Sequence, residues 1–329
     1  YQNIGSIRNR GVEVVLNSTN IRTNDFTWTM DFNIAFNRSK VLDIYGDNSD
    51  TNSFIQDYES RMGFKIEKGK PMGQFYGLIY DGIYTTDDFE QVDAETYRLK
   101  DGIASLKGTD RNSVKPGDVK YKPIAGETDD AGNPVWSTND RTVIGNASPD
   151  FTGGWNNTFT YKGFDLNIFM NFSVGNDVFN MSTQRFVGPY LANQNSIGDM
   201  ANRFKLIDPL NGKECVNLTR LAELNPGQYS GDLMWNISGN NKTAISDHSS
   251  YYIENGSYLR LSTITLGYTL PKKLVQRAKI SNARVYCTMN NICTITGYTG
   301  YDPDVASSSS ALTPGIDNSS YPRSKSWVL

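Results

Sequence analysis

Few residues in this 329-residue chain have the types and spacing that catalysis requires. Adjacent acidic pairs such as Asp87-Asp88 and Asp129-Asp130 occur, but consecutive residues of a strand point to opposite faces. A glycosidase would need two carboxylates about 5–10 Å apart across a pocket. No GxSxG, HExxH or P-loop motif is present. We therefore predict that the chain is not an enzyme.

The histidine and cysteine content speaks against a metal centre. His248 is the single histidine and lies in a polar stretch, where we expect a solvated side chain. Cys215, Cys287 and Cys293 form no CxxC motif, and an odd number argues against a complete disulfide framework. We predict no cofactor, and we expect Cys287 and Cys293 to fill small positions in strands. The net charge of −3 gives no electrostatic footprint for nucleic acid.

The elements that would position a site are strands with one apolar face. In FTWTMDFNIAFN (26–37) every second residue is large and apolar, from Phe26 to Phe36, and the residues between are small or polar. FDLNIFMNFSV (164–174) and GVEVVLN (11–17) repeat the pattern. Period-2 alternation predicts β-strands.

Turn and bulge signals connect further strands. Lys162-Gly163 separates two alternating runs and predicts a tight hairpin turn. The segments 258–271 and 283–295 are also predicted strands, and the first changes phase near Ser262-Thr263, which indicates a bulge. The segment 271–280 is the best helix candidate, although an extended turn with a basic rim is the alternative.

Long polar stretches lie between these strands. Compact domains seldom contain several connections of such length, whereas outer-membrane barrels combine short turns on one side with long loops on the other. No run of 18 apolar residues is present, so we predict no transmembrane helix. The polar stretches cover about 45–72, 86–140, 176–250 and 300–320.

The apolar strand faces could meet either lipid or a protein core. A strand crosses a bilayer with about 9–11 tilted residues, and 26–36 and 164–174 have that length. The polar faces carry Asn, Thr, Asp and Ser with few full charges, which suits a hydrated lumen. Aromatic residues near strand ends fit an aromatic girdle. Both a membrane barrel and a soluble lectin-like or jelly-roll protein remain open at this point.

Eight landmark segments follow one another along the chain. They are RNRGVEVVLN (8–17), FTWTMDFNIAFNRSKVLDI (26–44), GKPMGQFYGLIYDGIYTTDDF (69–89), PGDVKY (116–121), DRTVIGNASPDFTGGWNNTFTYKGFDL (140–166), NGSYLRLSTITLGYTLP (255–271), RVYCTMNNICTITGYTGYDPDV (284–305) and YPRSKSW (321–327). In this order they resemble the C-terminal part of SusC/RagA-type TonB-dependent outer-membrane transporters of Bacteroidetes. The resemblance covers nearly the whole chain.

The resemblance implies an all-β fold, a transmembrane antiparallel barrel of about 22 strands with an N-terminal plug and long extracellular loops. Residues 1–329 would form roughly its C-terminal half, without the plug and the first strands. It also implies a bacterial outer-membrane location, a SusD-like lipoprotein as a lid, and TonB acting through the missing N-terminal part. The family imports oligosaccharides or peptides, usually as a dimer of transporter–lipoprotein pairs. A soluble β-sandwich carbohydrate-binding or adhesin module is the alternative.

One stretch departs from the family pattern. Between PGDVKY and DRTVIG such proteins often have an Asp/Asn/Gly-rich sequence that would suit calcium, which prefers several close oxygen ligands. Here Asp129, Asp130, Asn133 and Asp140 remain, but their spacing is broken. We expect a solvated acidic loop instead of a calcium site, and we expect Asp118 to cap a turn.

Substrate contacts are expected from aromatic rings in the long polar stretches. Trp136, Tyr190, Trp235 and Tyr251 are the candidates, with packing inside their own loops or against the lipoprotein as the alternative. Two strand arginines, Arg260 and Arg284, are expected to face the lumen and to pair with Asp31 or Asp165. The Asp302-Pro-Asp304 segment is expected to form a turn near the last loop.

Overall fold

The computed structural model describes residues 5–44, 52–188, 193–238, 248–277, 279–304 and 310–329. Its dominant element is a seven-stranded antiparallel sheet. Smaller sheets of two to four strands surround one end of it. The fold is therefore mainly β, as the alternating sequence predicts.

The strands within the described residues are numbered in chain order. They are β1 Gly5–Arg22, β2 Phe26–Ile44, β3 Ser53–Tyr58, β4 Met62–Glu67, β5 Gln74–Gly77, β6 Tyr80–Ile83, β7 Phe89–Gln91, β8 Tyr97–Leu99, β9 Ser105–Leu106, β10 Val119–Tyr121, β11 Val135–Trp136, β12 Thr142–Asn146, β13 Phe151–Tyr161, β14 Phe164–Val174, β15 Asp177–Asn180, β16 Ile207–Asp208, β17 Lys213–Glu214, β18 Ile253–Asn255, β19 Tyr258–Thr269, β20 Arg284–Thr296, β21 Ile316–Asp317 and β22 Ser326–Val328.

Helices are short. The α-helices of the described residues are α1 Met181–Phe186, α2 Leu218–Leu224 and α3 Lys272–Arg277, and single 3₁₀ turns cover Thr86–Asp88, Thr138–Asp140, Gly198–Asn202 and Ser250–Tyr252. Each described helix is too short to span a lipid bilayer. The predicted helix at 271–280 exists, but it is only the six-residue α3.

The large sheet has the strand order β1-β2-β13-β14-β19-β20-β22. The predicted strand 164–174 coincides with β14, and the turn before it is a two-residue hairpin with Tyr161 opposite Phe164. Lys162 and Gly163 both have positive φ, 44° and 92°, as a type I′ turn requires. The bulge expected near Ser262-Thr263 is confirmed, because the register of β19 shifts there against both neighbours.

The connections of the sheet differ at its two ends. At one end, β1–β2, β13–β14 and β19–β20 are joined by the short segments 23–25, 162–163 and 270–283. At the other end lie three long connections. We call the described residues of these connections (45–150, 175–257 and 297–325) the loop body. The predicted division into short turns and long loops is therefore confirmed.

The loop body contains the apolar core of the described structure. Every buried hydrophobic side chain apart from Val41 and Val275 belongs to it. Although these stretches are polar in overall composition, they contain irregularly spaced aromatic and aliphatic residues that pack together. This core was not predicted from the sequence.

His248 corrects another expectation. It is predicted to be solvated, but only 4% of it is exposed. Its backbone carbonyl accepts a hydrogen bond of 2.7 Å from the amide of Leu78, and Leu78 forms a parallel bridge with Ser249. The backbone pairing of two distant loop segments draws this histidine into the interior.

Candidate functional site

The large sheet has two chemically distinct faces. Residues that are paired in register project from the same face, so each face can be described by its rows across the strands. One row on the apolar face contains Leu16, Phe32, Trp155, Met170, Leu261 and Cys293. A row on the opposite face contains Asn33, Gly154, Asn171, Arg260 and Thr294.

The polar face is linked by side-chain hydrogen bonds between strands. The amide nitrogen of Asn167 donates to Asn156 Oδ1 at 2.8 Å and to Thr158 Oγ1 at 3.0 Å. The hydroxyls of Thr265 and Thr288 lie 2.9 Å apart. Such a face keeps polar groups available along the sheet without placing many full charges there.

A cavity of about 610 Å³ lies where the polar face meets the loop body. The sheet contributes Glu13, Asn33, Asn171, Ser173 and Tyr258, and the loop body contributes residues that include Pro303, Asp304 and Pro314. The amide of Asn171 donates to the Tyr258 hydroxyl at 3.3 Å, and Ser173 Oγ donates to Asn176 Oδ1 at 2.8 Å. The lining is rich in amides and hydroxyls and includes two aromatic residues on strands, Phe172 and Tyr258.

Gly153 keeps room at the floor of this cavity. A Cβ at this position would lie 2.3 Å from the backbone oxygen of Asn33 and 2.4 Å from the ring of Phe172. Neither contact is sterically allowed without a shift of β2 or of the ring. The absence of a side chain therefore lets the strand backbone and Phe172 approach closely beside the cavity.

An ion network fixes the loop wall of the cavity. Arg260, with 2% of its side chain exposed, donates to Asp302 and to Thr294 Oγ1 at 3.1 Å, and its Nη1 lies 3.5 Å from Asp304 Oδ2. Arg323 contacts the same two carboxylates. The amide of Asp304 donates to Asp302 Oδ1 at 2.9 Å, so the expected turn at 302–304 is confirmed.

The strand arginines follow the predicted pairing only in part. Arg284 Nε donates to Asp165 Oδ1 at 3.0 Å, which confirms one predicted pair. Arg260 pairs with neither Asp31 nor Asp165, because the last loop folds over the polar face and brings Asp302 to it. Sequence patterns within strands could not reveal this partner, since it lies in a loop.

Comparison with known proteins agrees with this architecture. No protein-family model matches the chain. It is 30% identical over its full length to TonB-dependent receptor P3 of Formosa agariphila, and it spans 29% of that relative. It is 28% identical to TonB-dependent receptor SusC of Bacteroides thetaiotaomicron, again over its full length and over 26% of the relative. The chain therefore spans less than a third of the curated relatives it matches.

Solved structures give the same picture for the fold. A chain of the RagAB peptide transporter superposes with a TM-score of 0.66 at 22% identity, over 99% of this chain and 29% of that one. The chain is SusC-like throughout. The predicted resemblance and the predicted all-β fold are both confirmed.

Other predictions about this SusC-like chain can now be assessed. An outer-membrane location is confirmed, because TonB-dependent receptors of this kind are β-barrel proteins of that membrane. The relatives are receptors and transporters, which confirms that the chain is not an enzyme. The apolar face of the sheet is consequently the face that meets lipid, and the polar face meets the lumen.

The three aromatic candidates for substrate contact that belong to the described residues lie outside the cavity lining. Trp136 and Trp235 are buried in the loop body, with exposed fractions of 3% and 1%, and Tyr251 is half-buried. The three rings belong to one aromatic cluster, in which Tyr80 and Tyr121 lie between Trp136 and the other two. The ring centroids of Trp235 and Tyr251 are 4.7 Å apart. Tyr190 lies outside the described residues.

These rings have a structural role in the described state. Trp235 Nε1 donates to the backbone oxygen of Val187 at 3.0 Å, and the Trp136 ring lies 5.0 Å from that of Tyr121. A ligand could stack on either tryptophan only if the packed neighbours moved away. Asn171 and Tyr258 were not identified from the sequence as lining residues of the cavity. Both lie on the polar face, near the strand ends that adjoin the loop body, and that position could have identified them.

In the stretch that departs from the family's calcium-like pattern, the carboxylates accept hydrogen bonds from backbone amides. Asp129 Oδ1 accepts from the amides of Ala131 and Asn133, at 3.0 and 2.8 Å. Asp140 is fully buried, not solvated as expected, and accepts from the amides of Ala125 and Ser137 at 2.7 Å each. Within the described residues no cluster of three or more metal-ligating side chains is placed to hold an ion.

Proposed function

We propose that the full-length protein imports nutrient oligomers across the bacterial outer membrane in a TonB-dependent manner. Residues 1–329 would form part of the C-terminal half of its barrel, and the loop body would lie on the extracellular side. The plug and the remaining strands would belong to parts of the protein outside this chain. The supporting relatives are several times longer than the chain, so the transport activity belongs to the whole protein.

The cavity between the polar face and the loop body is the observation that carries this proposal. A ligand that passes the extracellular loops would meet this space before it enters the lumen. The lining offers neutral hydrogen-bonding groups at Asn33 and Asn171, which lie in one row of the sheet, and at Tyr258 in the next row. These three groups can exchange water for ligand without desolvating a charge of their own, which suits transient binding during transport. The carboxylates of Glu13 and Asp304 belong to the same lining.

An oligosaccharide is the substrate class that this lining favours. Sugar hydroxyls are donors and acceptors at once and can pair with the amides and hydroxyls of the wall. The guanidinium of Arg260 covers one face of the Tyr258 ring, 5.0 Å from its centroid, and the other face would be the surface for a sugar. A peptide is the second candidate, because the fold resembles that of a peptide transporter, RagAB.

The partners follow from the same proposal. A SusD-like lipoprotein would cover the loop body as a lid, and TonB would act on the part of the protein that lies outside this chain. Two such pairs would form a dimer in the lipid bilayer. Tyr251, which is partly exposed, is the candidate aromatic that could reach ligand or lid without unpacking the core.

Native mass spectrometry of the full-length protein from outer membranes tests the proposal. We expect a co-purifying lipoprotein and retained ligand with hexose-spaced masses, whereas a peptide mixture would favour the second candidate. Asn171→Leu should reduce ligand retention. Asn167→Leu is the matched control, because it removes two hydrogen bonds from the same face of β14 away from the cavity. Equal loss in both variants, or no ligand and no lipoprotein, would contradict the proposal.

A further inference from the structure

A second groove, of about 510 Å³, lies within the loop body. It forms between an extended segment at 203–207, the turn at 115–117 and the segment 236–238. We call it the basic groove, and its defining side chains are Lys115, Arg203, Lys205, Glu214, Asn236 and Ile237. It shares no lining residue with the cavity at the polar face.

The charges of the basic groove are only partly balanced. Lys115 Nζ lies 2.5 Å from Glu214 Oε1, so these two charges compensate each other. Within the described residues, neither Arg203 nor Lys205 has a carboxylate within 4.0 Å, and both are exposed. Two cations therefore face the groove without an anionic partner from the described chain.

Local geometry places these cations side by side. The segment 203–208 is extended and alternates between exposed and less exposed residues, so Arg203 and Lys205 project from the same side. Residues two apart in such a segment are separated by roughly 7 Å. A carboxylate group of a ligand can bridge that separation and accept from both side chains.

The backbone under the cations is held on both sides. The amide of Phe204 donates to Met234 O at 2.8 Å, and the amide of Lys205 donates to Asn225 Oδ1 at 2.7 Å. The side-chain amide of the buried Asn225 returns a bond of 3.0 Å to Lys205 O. The backbone that carries the two cations is therefore fixed by hydrogen bonds.

Asp118 orders the opposite wall. Its carboxylate accepts from the Lys115 amide at 2.9 Å, from Asn236 Nδ2 at 2.8 Å and from Ser238 Oγ at 3.2 Å. The first of these bonds confirms the predicted turn cap. Burial raises the pKa of Asp118 above its ordinary value, although these donors oppose the shift. Because its lone pairs face these donors, Asp118 does not neutralise Arg203 or Lys205.

The floor of the groove is apolar. Ile207, which projects from the same side of the segment as the two cations, and Ile237 line it. The buried Phe204 lies beneath, and its ring occupies the space where a Cβ on Gly117 would stand, 2.5 Å away. A flat or aliphatic ligand surface could lie on this floor while its charged group reaches Arg203 and Lys205. The groove thus combines an apolar base with a cationic rim.

We propose that the basic groove binds a carboxylate-bearing unit of the transported oligomer, so that the substrate class is acidic. This inference rests on the proposed import function. The ligand would lie on Ile207 and Ile237 and direct its carboxylate to Arg203 and Lys205. Binding of the acidic unit would hold the oligomer at the loop body while its neutral groups enter the cavity at the polar face.

Affinity measurements on the full-length protein with its lipoprotein test the inference. The probes are a uronic-acid tetrasaccharide, its carboxyl-reduced neutral counterpart and a glutamate-containing hexapeptide. We expect the acidic tetrasaccharide to bind about tenfold more tightly than the neutral one, as charge-assisted hydrogen bonds imply, with an advantage that shrinks in high salt. Equal affinity for the two tetrasaccharides and no binding of the peptide would overturn the inference.

Variants locate the effect. Arg203→Gln combined with Lys205→Gln should remove the advantage of the acidic probe and leave neutral binding unchanged, which also shows that the variant is folded. Lys122→Gln is the control, since that lysine belongs to the loop body outside the groove. An advantage that survives the double variant would overturn the inference.

The same measurements show whether the carboxylate comes from a saccharide or a peptide. They also distinguish failure of the groove proposal from failure of the import function. Variant-sensitive binding of the hexapeptide alone would keep the acidic groove and assign it to peptides. Normal binding and cellular uptake of neutral oligosaccharide without an acidic preference would refute only the groove. Failure to bind or take up any of the three probes and any neutral oligomer would refute the import function as well.

Discussion

At the residue scale, Arg260 is the side chain whose loss should cost most. It is almost completely buried and compensates Asp302 and Asp304. Removing one partner of a buried ion pair leaves an uncompensated charge and costs roughly 3–5 kcal/mol. Arg260→Gln should therefore loosen the 297–304 segment strongly, as measured by faster hydrogen exchange there in the detergent-solubilised full-length protein.

Arg284→Gln is the matched control for Arg260. Its side chain is 38% exposed and pairs with Asp165, so its removal should cost only about 0–1 kcal/mol. Comparable exchange in the two variants would show that burial of Arg260 does not determine the strength of the network.

At the element scale, the β13–β14 turn depends on Gly163. Its φ is 92°, and a Cβ would lie 3.0 Å from Thr269 O. Gly163→Ala should destabilise the barrel by about 1 kcal/mol, through strain in the left-handed region. Urea unfolding from lipid vesicles would measure this. Gly297→Ala should be nearly neutral, because no atom lies within 4 Å of the position that the added methyl group would take and its φ is not positive.

The β16–β17 hairpin and α2 are joined by an acid-sensitive ion pair. Arg220 Nε donates to Asp208 Oδ2 at 2.9 Å and lowers the pKa of that carboxyl below its ordinary value of 3.8. The pair therefore stabilises the folded state above pH 3.8, and this stabilisation disappears as the pH falls through the lowered pKa.

Arg220→Gln should accordingly weaken the hairpin at pH 6, and this effect should decrease as the pH is lowered below 3.8. Hydrogen exchange of residues 205–224, compared between variant and parent at each pH, measures this. Lys213→Gln is the control. Lys213 belongs to the same hairpin, and among the described residues its side chain forms no ion pair with Asp208. A variant effect that stayed constant down to pH 2 would refute the proposed linkage.

At the scale of the whole molecule, the two faces of the sheet should respond differently to charge. Ile168 lies on the apolar face near the middle of β14, and Asn167 lies on the polar face beside it. An arginine in the lipid region of a barrel costs about 2–4 kcal/mol at the midplane. Ile168→Arg should therefore reduce barrel stability and surface level, whereas Asn167→Arg should be tolerated. The reverse order would contradict the assignment of lipid and lumen.

The sheet was predictable from sequence because its strands meet different solvents on their two faces. That difference imposes period-2 alternation, and β14 and the Lys162-Gly163 turn follow directly from it. The loop body was not predictable, since its core residues have no period. His248 is buried because the backbone of the distant Leu78 pairs with it, and no local pattern records that. Asp140 has a local partner in Ser137, but its hydrogen bond from the amide of Ala125 comes from a separate segment. The cavity depends on register between strands and on the last loop.

The shared core of the loop body has a consequence for how such proteins diversify. Leu78 pairs with the backbone at His248, Asn236 with Pro116, and Phe179 with Gly315, so each long connection completes another. A single loop exchanged between two relatives would arrive without its complementary partners. New ligand preferences should therefore be inherited as a set of three co-varying loops, and a chimera that grafts the entire set onto a foreign barrel should succeed where single-loop grafts fail.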